Sequence, residues 1–124
     1  MYLDLSIGQY DTYTPIQLSQ YISTIANNGY RVQPHIGLAI HDATNSDQVG
    51  PVKDKIKGNI LNKVNNSQDE IDEVKQGFKM AFNEKDGTGY ASFHKTVVPS
   101  AGKTGTAEVY QNGQSRVNST YIGY

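Results

Sequence analysis

Apolar side chains recur every three or four positions between residues 15 and 28, which predicts an amphipathic helix with one buried face. The apolar positions are Leu18, Tyr21, Ile22, Ile25 and Ala26. Thr14 and Gln17 form a capping-box pattern at the start of this segment, with Pro15 at the first helical position. Asn28 and Gly29 tolerate the left-handed conformation in which helices commonly end. The sequence therefore predicts a helix over residues 15–28.

A second apolar stripe predicts a helix over residues 68–83. Ser67 and Glu70 have the capping-box spacing, so each side chain can bond to the other residue's main chain. Gly77 interrupts the stripe without ending it. The apolar positions are Ile71, Val74, Phe78, Ala81 and Phe82.

The extended segments in the first half of the chain are less regular. Residues 2–7 alternate loosely and predict a short strand or extended segment. Residues 30–42 predict one strand that contains an edge proline, Pro34. Residues 43–58 are polar and alternate in charge, which predicts a surface loop or an exposed hairpin.

The last third of the chain predicts a β-hairpin. Asn112-Gly113 is a strong signal for a tight turn. It separates an extended segment at residues 97–110 from a second one at residues 117–124. A turn cluster at residues 86–89 separates this hairpin from the second helix. The final residues resemble a strand interior, so we expect the chain to be a piece of a longer domain.

Composition and charge exclude several classes of function. The 124 residues carry a net charge of −1, which argues against nucleic-acid binding by bulk electrostatics. No apolar run approaches the about 20 residues that a membrane-spanning helix needs. Cysteine is absent, which excludes disulfides, thiolate metal sites and a cysteine nucleophile. His35, His41 and His94 lack a short ligand spacing, so no metal site is expected.

Lys103-Thr104-Gly105-Thr106 is the segment most indicative of chemistry. On a strand, Thr104 and Thr106 share one face, where two hydroxyls can bind an anion such as a carboxylate. Lys103 projects from the other face, and Gly105 lets a neighbouring group approach the main chain closely. A main-chain N–H on this strand could donate to a developing oxyanion. Taken alone, the same four residues also fit an ordinary hairpin strand with a solvated lysine.

Lys103-Thr104-Gly105 is accompanied by further short motifs in a characteristic order. With that strand included, they are residues 6–9, 13–18, 25–29, 63–65, 76–78, 87–89, 102–108 and 118–124. In this order they resemble the transpeptidase domain of class B penicillin-binding proteins, and most closely the monofunctional enzymes of the penicillin-binding protein 3 type in Gram-positive bacteria. The resemblance covers essentially all 124 residues. It implies an α+β fold of the serine β-lactamase and D,D-transpeptidase type, with helices packed on an antiparallel sheet.

This resemblance assigns roles to the active-site strand. Lys103 would organise the serine motif and support proton transfer, and Thr104 and Thr106 would recognise a terminal carboxylate. The Thr106 N–H would form half of the oxyanion hole, and Gly105 would keep the strand open to the acyl group. Glu108 and Tyr110 lie farther along the strand, where they could border the cleft, although we interpret them as surface residues.

Only the third of the family's three active-site motifs is present in the chain. We therefore expect residues 1–124 to be the C-terminal part of the domain, lacking the upstream nucleophile region and the C-terminal end, and to be inactive alone. Ser92 and Ser100 each begin a Ser-x-x-Lys string, but we reject both as nucleophiles. The first lacks an apolar helical stripe and is expected in a loop. The second leads into the strand, where Ser100 and Lys103 point to opposite faces.

The resemblance further implies a peptidoglycan D,D-transpeptidase that cross-links stem peptides through a serine acyl-enzyme and is acylated by β-lactams. It implies no cofactor and no metal. The expected partners are stem peptides and β-lactams, with cell-wall synthesis proteins as further candidates. The catalytic domain is expected on the extracytoplasmic face of the bacterial membrane, held by an anchor outside this segment.

Two other classes of function remain open at this point. The chain could be a non-enzymatic peptide-binding or scaffold module that uses the Lys103 to Thr106 strand as a docking edge. It could also come from a β-lactamase or sensor domain, which the long match over residues 6–29 disfavours.

Overall fold

A computed structural model describes Gly8 and residues 11–124 of the chain. The extended segment expected at residues 2–7 lies outside the described residues. The helices are α1 (Pro15–Ala26), α2 (Gln68–Asn83) and α3 (Tyr90–Phe93). The strands are β1 (Tyr30–Val32), β2 (Ala39–His41), β3 (Val52–Lys55), β4 (Ile60–Lys63), β5 (Gly102–Gln111) and β6 (Gln114–Gly123).

Both predicted capping boxes form. At α1, the Gln17 main-chain N–H donates to Thr14 Oγ1 at 3.4 Å, and the Thr14 N–H donates to Gln17 Oε1 at 2.8 Å. At α2, the Glu70 N–H donates to Ser67 Oγ at 3.2 Å, and the Ser67 N–H donates to Glu70 Oε2 at 2.8 Å. These bonds satisfy N–H groups that have no partner inside the helix. The sequence therefore predicted both helix starts correctly.

The helix ends differ in how well they were predicted. The end of α2 at Asn83 agrees with the prediction. The prediction for α1 was two residues too long, because Asn27 is the C-cap and the chain turns left-handed at Asn28 (φ 55°) and Gly29 (φ 86°). A Cβ on Gly29 would lie 2.8 Å from Val64 Cγ2, so this turn is also tightly packed.

The single strand expected over residues 30–42 is wrong. β1 and β2 occupy its two ends and belong to different sheets, because β1 pairs with β4 and β2 pairs with β3. Pro34, which has no N–H to donate, lies in the gap between them. The alternating apolar side chains in this gap are not buried, since Ile36 is fully exposed and Leu38 is 79% exposed. Residues 43–58 do not form a hairpin by themselves: they supply an exposed loop and β3, whose partner β2 lies just before the segment.

The hairpin predicted for the last third is confirmed. β5 and β6 pair antiparallel from Gly102 opposite Gly123 to Gln111 opposite Gln114. Asn112 (φ 53°) and Gly113 (φ 74°) form the connecting turn, whose positive φ angles match the right-handed twist of the strands. The strand begins at residue 102 rather than 97. The sequence did not predict α3 or β4.

The β5–β6 hairpin is packed between helices. Phe82 of α2 is 1% exposed and lies against Gly102 and Gly123, which pair with each other and therefore share one face. The neighbouring Ile122 belongs to the opposite face, where Leu18 and Ile22 of α1 line a groove with it. Helices on antiparallel strands confirm the α+β class and fix the position of β5.

Candidate active site

The pairing of β5 with β6 sorts the predicted site residues onto two faces. Thr104 lies opposite Tyr121, and Thr106 lies opposite Ser119. Partners directly across an antiparallel pair point to the same face, and successive residues alternate. Thr104 and Thr106 therefore share the face that Phe82 covers nearer the start of the strand. Lys103 and Gly105 belong to the other face, in agreement with the predicted alternation.

The main-chain groups of β5 also alternate in direction. Ala101 and Tyr124 exchange two N–H···O bonds of 2.9 Å, so they form a closely hydrogen-bonded pair. Because hydrogen-bonded and non-hydrogen-bonded pairs alternate along an antiparallel ladder, Lys103 and Gly105 also direct their N–H and C=O groups toward β6. The N–H and C=O groups of Thr104 and Thr106 consequently point to the outer edge of β5. A donor in this position can bond to an oxyanion or to an extended peptide.

Lys103 brings a cation to the same outer edge. Its Nζ donates to the Thr104 carbonyl oxygen at 2.7 Å. That carbonyl points away from β6, so the lysine side chain curls from its own face around the edge of the strand. The ammonium group and the Thr106 N–H thus lie along one edge of β5. This arrangement suits a substrate that carries both a carboxylate and a carbonyl group.

A groove of about 640 Å³ borders the hydroxyl face of the strand. Thr104 is half-buried there, and its hydroxyl donates to Thr88 Oγ1 at 2.7 Å. Thr106 and Ser119 are exposed. The residues lining the groove are Thr88, Ser92, Phe93, Thr104, Gly105, Thr106, Ser119, Thr120 and Tyr121. The groove therefore collects hydroxyl groups, which can donate to an anion.

Aromatic packing holds the strand beside this groove. Phe82 and Phe93 stack with their ring centroids 4.0 Å apart, and Phe93 meets Tyr121 at 5.4 Å in a tilted arrangement. On the opposite face, a Cβ on Gly105 would lie 2.9 Å from Thr120 Oγ1, so a larger residue would push against β6. The rings hold the hairpin against α2 and α3, and the close approach at Gly105 holds β5 against β6.

The two rejected serines occupy different surroundings. Ser92 lies on α3 and lines the groove, so the expectation that it sits in a loop was wrong. Ser100 lies outside the groove, and its carbonyl oxygen accepts a 2.9 Å bond from Asn83 Nδ2. Tyr110, farther along β5, is 79% exposed and does not line the groove, and neither does Glu108.

The histidines lie away from the groove and bond locally. His35 and His41 each pair Nδ1 with a main-chain carbonyl, of Gly37 and Gly50, at 2.6 Å. Among the described residues, no three His, Cys, Asp or Glu side chains are placed to hold a metal ion. Within the same part of the chain, no helix has the length and apolar character to cross a bilayer.

A family model, the penicillin binding protein transpeptidase domain, matches residues 1–124. The chain belongs to this transpeptidase family. It is 46% identical to penicillin-binding protein H of Bacillus subtilis (strain 168), over 98% of the chain and 18% of that protein. It is 38% identical to penicillin-binding protein 2B of Streptococcus pneumoniae (strain D39), over 99% of the chain and 18% of the relative.

The transpeptidase fold is also found in solved structures. Penicillin-binding protein 2B from Streptococcus pneumoniae strain R6 superposes with a TM-score of 0.80 and 35% identity, covering 99% of this chain and 20% of that one. The same protein from strain 5204 gives a TM-score of 0.73 and 32% identity, over 98% and 21% of the two chains. The chain thus spans about a fifth of the length of its relatives, and its fold is that of their transpeptidase domain.

Thr88 is one of the groove residues for which the sequence predicted no role; the others are Phe93, Ser119, Thr120 and Tyr121. Residues 87–89 were interpreted as a turn, without any role for the threonine hydroxyl. The available signal was the position of a single hydroxyl residue between two glycines after α2. Its contact with Thr104, sixteen positions later, became visible only in the fold.

Proposed function

We propose that residues 1–124 are part of a peptidoglycan D,D-transpeptidase and supply its Lys-Thr-Gly active-site strand. The observation that carries the proposal is the outer edge of β5, where the Lys103 ammonium group and the Thr106 N–H lie together. Membership of the transpeptidase family supports it. We further assign the chain to class B, of the penicillin-binding protein 3 type, on the resemblance of its motifs.

In this mechanism, a serine upstream of the chain attacks the carbonyl carbon of the penultimate residue of a D-alanyl-D-alanine stem peptide. The serine oxygen forms an ester, and the terminal D-alanine leaves with its carboxylate and a proton on its nitrogen. An amine of a neighbouring stem peptide then displaces the serine and completes the cross-link. A β-lactam is opened by the same attack and stays attached as an acyl-enzyme.

Each residue of the strand has a role that its position supports. Thr104 and Thr106 share the groove face and bind the terminal carboxylate through their hydroxyls. The Thr106 N–H, directed to the outer edge, donates to the oxyanion formed during serine attack. Lys103 lies at that edge, where its charge favours the carboxylate and supports proton transfer at the serine. Gly105 leaves room for the acyl group.

The nucleophile lies outside residues 1–124 in this proposal, so the segment alone is inactive. The catalytic domain works on the extracytoplasmic face of the membrane, held by an anchor outside this segment. Stem peptides and β-lactams are the ligands, and other cell-wall synthesis proteins are the proposed partners.

Intact-mass measurement after incubation with benzylpenicillin tests the proposal. The complete protein should gain the mass of one β-lactam, whereas the 124-residue chain alone should gain none. Peptide mapping should place the adduct on a serine other than Ser92 and Ser100. Acylation of the short chain would refute the external nucleophile. Failure of the complete protein to acylate would instead favour a non-enzymatic peptide-binding module.

A further inference from the structure

Thr88 is presented to the active-site strand by a turn that has little freedom to move. A Cβ on Gly87 would lie 2.4 Å from the Ala81 carbonyl oxygen, and one on Gly89 would lie 2.6 Å from Phe82 Cδ1. The Gly89 N–H donates to the Ala81 carbonyl at 2.9 Å. Both neighbours of Thr88 are therefore packed directly against α2, while Thr88 itself stays exposed. The turn fixes one hydroxyl group beside β5.

The bond from Thr104 to Thr88 occupies the hydroxyl proton that Thr104 would need to bind a carboxylate. A threonine hydroxyl has one proton, and the proton of Thr104 is directed to Thr88 Oγ1 at 2.7 Å. A carboxylate bound by Thr104 needs that proton, because a carboxylate only accepts hydrogen bonds. When Thr104 turns its proton to the carboxylate, its oxygen can accept the proton of Thr88. Both O–H groups rotate, and no covalent bond breaks.

We propose that Thr88 is a positioning residue for the carboxylate site, which holds the Thr104 hydroxyl in place and then donates to it while Thr104 donates to the ligand. This inference rests on the proposed function of the groove. Thr88 acts through Thr104, and the chain of two hydroxyls strengthens the bond to the anion because each donor polarises the next. Thr88 should therefore matter only for substrates that carry the carboxylate.

The test compares benzylpenicillin with its methyl ester, in which the carboxylate charge is removed. In the complete enzyme, Thr88→Val keeps the side-chain shape and removes the hydroxyl. We expect it to lower the second-order acylation rate with the free acid about tenfold, the value of one hydrogen bond in a charged network. The rate with the ester should stay unchanged. Thr88→Ser should restore most of the rate with the free acid.

A double-mutant cycle separates positioning from general damage. If Thr88 acts through Thr104, Thr88→Val should have no further effect in a Thr104→Val background. Thr44→Val is the matched control, since Thr44 is likewise an exposed threonine in a connecting segment, where its hydroxyl donates to main-chain carbonyls, and it lies outside the groove. That variant should leave both rates unchanged.

Several outcomes would overturn the inference. An equal loss with acid and ester would show that Thr88 only supports the fold, and unchanged rates would show that its hydroxyl is not used. Additive effects in the double-mutant cycle would exclude action through Thr104. If Thr88→Val did not fold, Thr88→Ser would decide instead. This variant keeps the hydroxyl, so a ratio of the free-acid rate to the ester rate below that of the wild type would also overturn the inference. Absence of acylation in the wild-type enzyme would refute the proposed function instead.

Discussion

Replacing Gly102 by alanine should destabilise the domain strongly, although alanine is the smallest possible change. The added Cβ would lie 2.3 Å from the Ile122 carbonyl oxygen and 2.4 Å from Phe82 Cζ. Both distances are about 1 Å shorter than an ordinary contact. Neither neighbour can move freely, because the carbonyl belongs to the β6 main chain and Phe82 is 1% exposed.

The cost follows from these contacts. Overpacking of a well-packed core costs about 1–3 kcal/mol, and two clashes with fixed groups place Gly102→Ala near 3 kcal/mol. With an m-value of about 3 kcal/mol/M, the urea midpoint of the complete transpeptidase domain should fall by about 1 M. The acylation rate should fall as well, because relief of the clash displaces β5, on which Lys103 directly follows the substituted residue.

Gly77→Ala is the matched control. No atom lies within 4 Å of the position of its Cβ, and Gly77 is exposed in the middle of α2. Alanine should therefore stabilise the helix by about 1 kcal/mol through its higher helix propensity. Glycine to alanine is thus expected to lower the free energy of unfolding at Gly102 and to raise it at Gly77. A urea midpoint for Gly102→Ala equal to or above that of the wild type would refute the steric argument.

Three further predictions concern the strand and the α2 cap. Thr106→Val should slow β-lactam acylation about tenfold with little change in Tm, because it removes one exposed hydroxyl from a retained strand; an unchanged rate would exclude its role. Lys103→Ala should slow acylation more, since it removes the cation; a milder effect than that of Thr106→Val would contradict this. Hydrogen bonds from the Ser67 N–H, the Ser67 hydroxyl and Asn66 lower the pKa of Glu70 from 4.5. The ionised Glu70 carboxylate therefore stabilises the fold above about pH 4.5, and this stabilisation is lost as the pH falls through the lowered pKa. Glu70→Gln should make the urea midpoint depend less on pH in this range, and a pH dependence identical to that of the wild type would contradict the prediction.

The sequence predicted the elements whose signals are local. Capping boxes at Thr14 and Ser67 and the Asn112-Gly113 turn each satisfy main-chain groups within a few residues, so tertiary packing did not override them. The prediction of one strand over residues 30–42 was wrong because alternating apolar residues are typical of a half-buried strand, whereas Leu38 is exposed here. Pro34 lies between strands that belong to two different sheets. Strand partners depend on distant residues that no local pattern specifies.

The same division applies to the candidate site. Alternation along β5 predicted that Thr104 and Thr106 share a face, because this follows from strand geometry alone. The curl of Lys103 around the edge and the bond between Thr88 and Thr104 depend on rotamers and on the packing of α2. These features required the folded structure.

The β5–β6 hairpin is anchored at one end, and this creates a gradient of local stability. Phe82 covers the base at Gly102 and Gly123, whereas Val117 is 61% exposed and Tyr110 is 79% exposed toward the tip. Opening the tip exposes little apolar surface, so hydrogen exchange of the amides that β5 directs toward β6 should quicken from Lys103 near the base to Val109 near the tip. The part of β5 that carries Thr104 and Thr106 lies on the slow side of this gradient, although the N–H groups of these two threonines point to the outer edge. The tip can therefore fray, or accept extra residues at its turn, while the part of the strand proposed to bind the ligand keeps its shape.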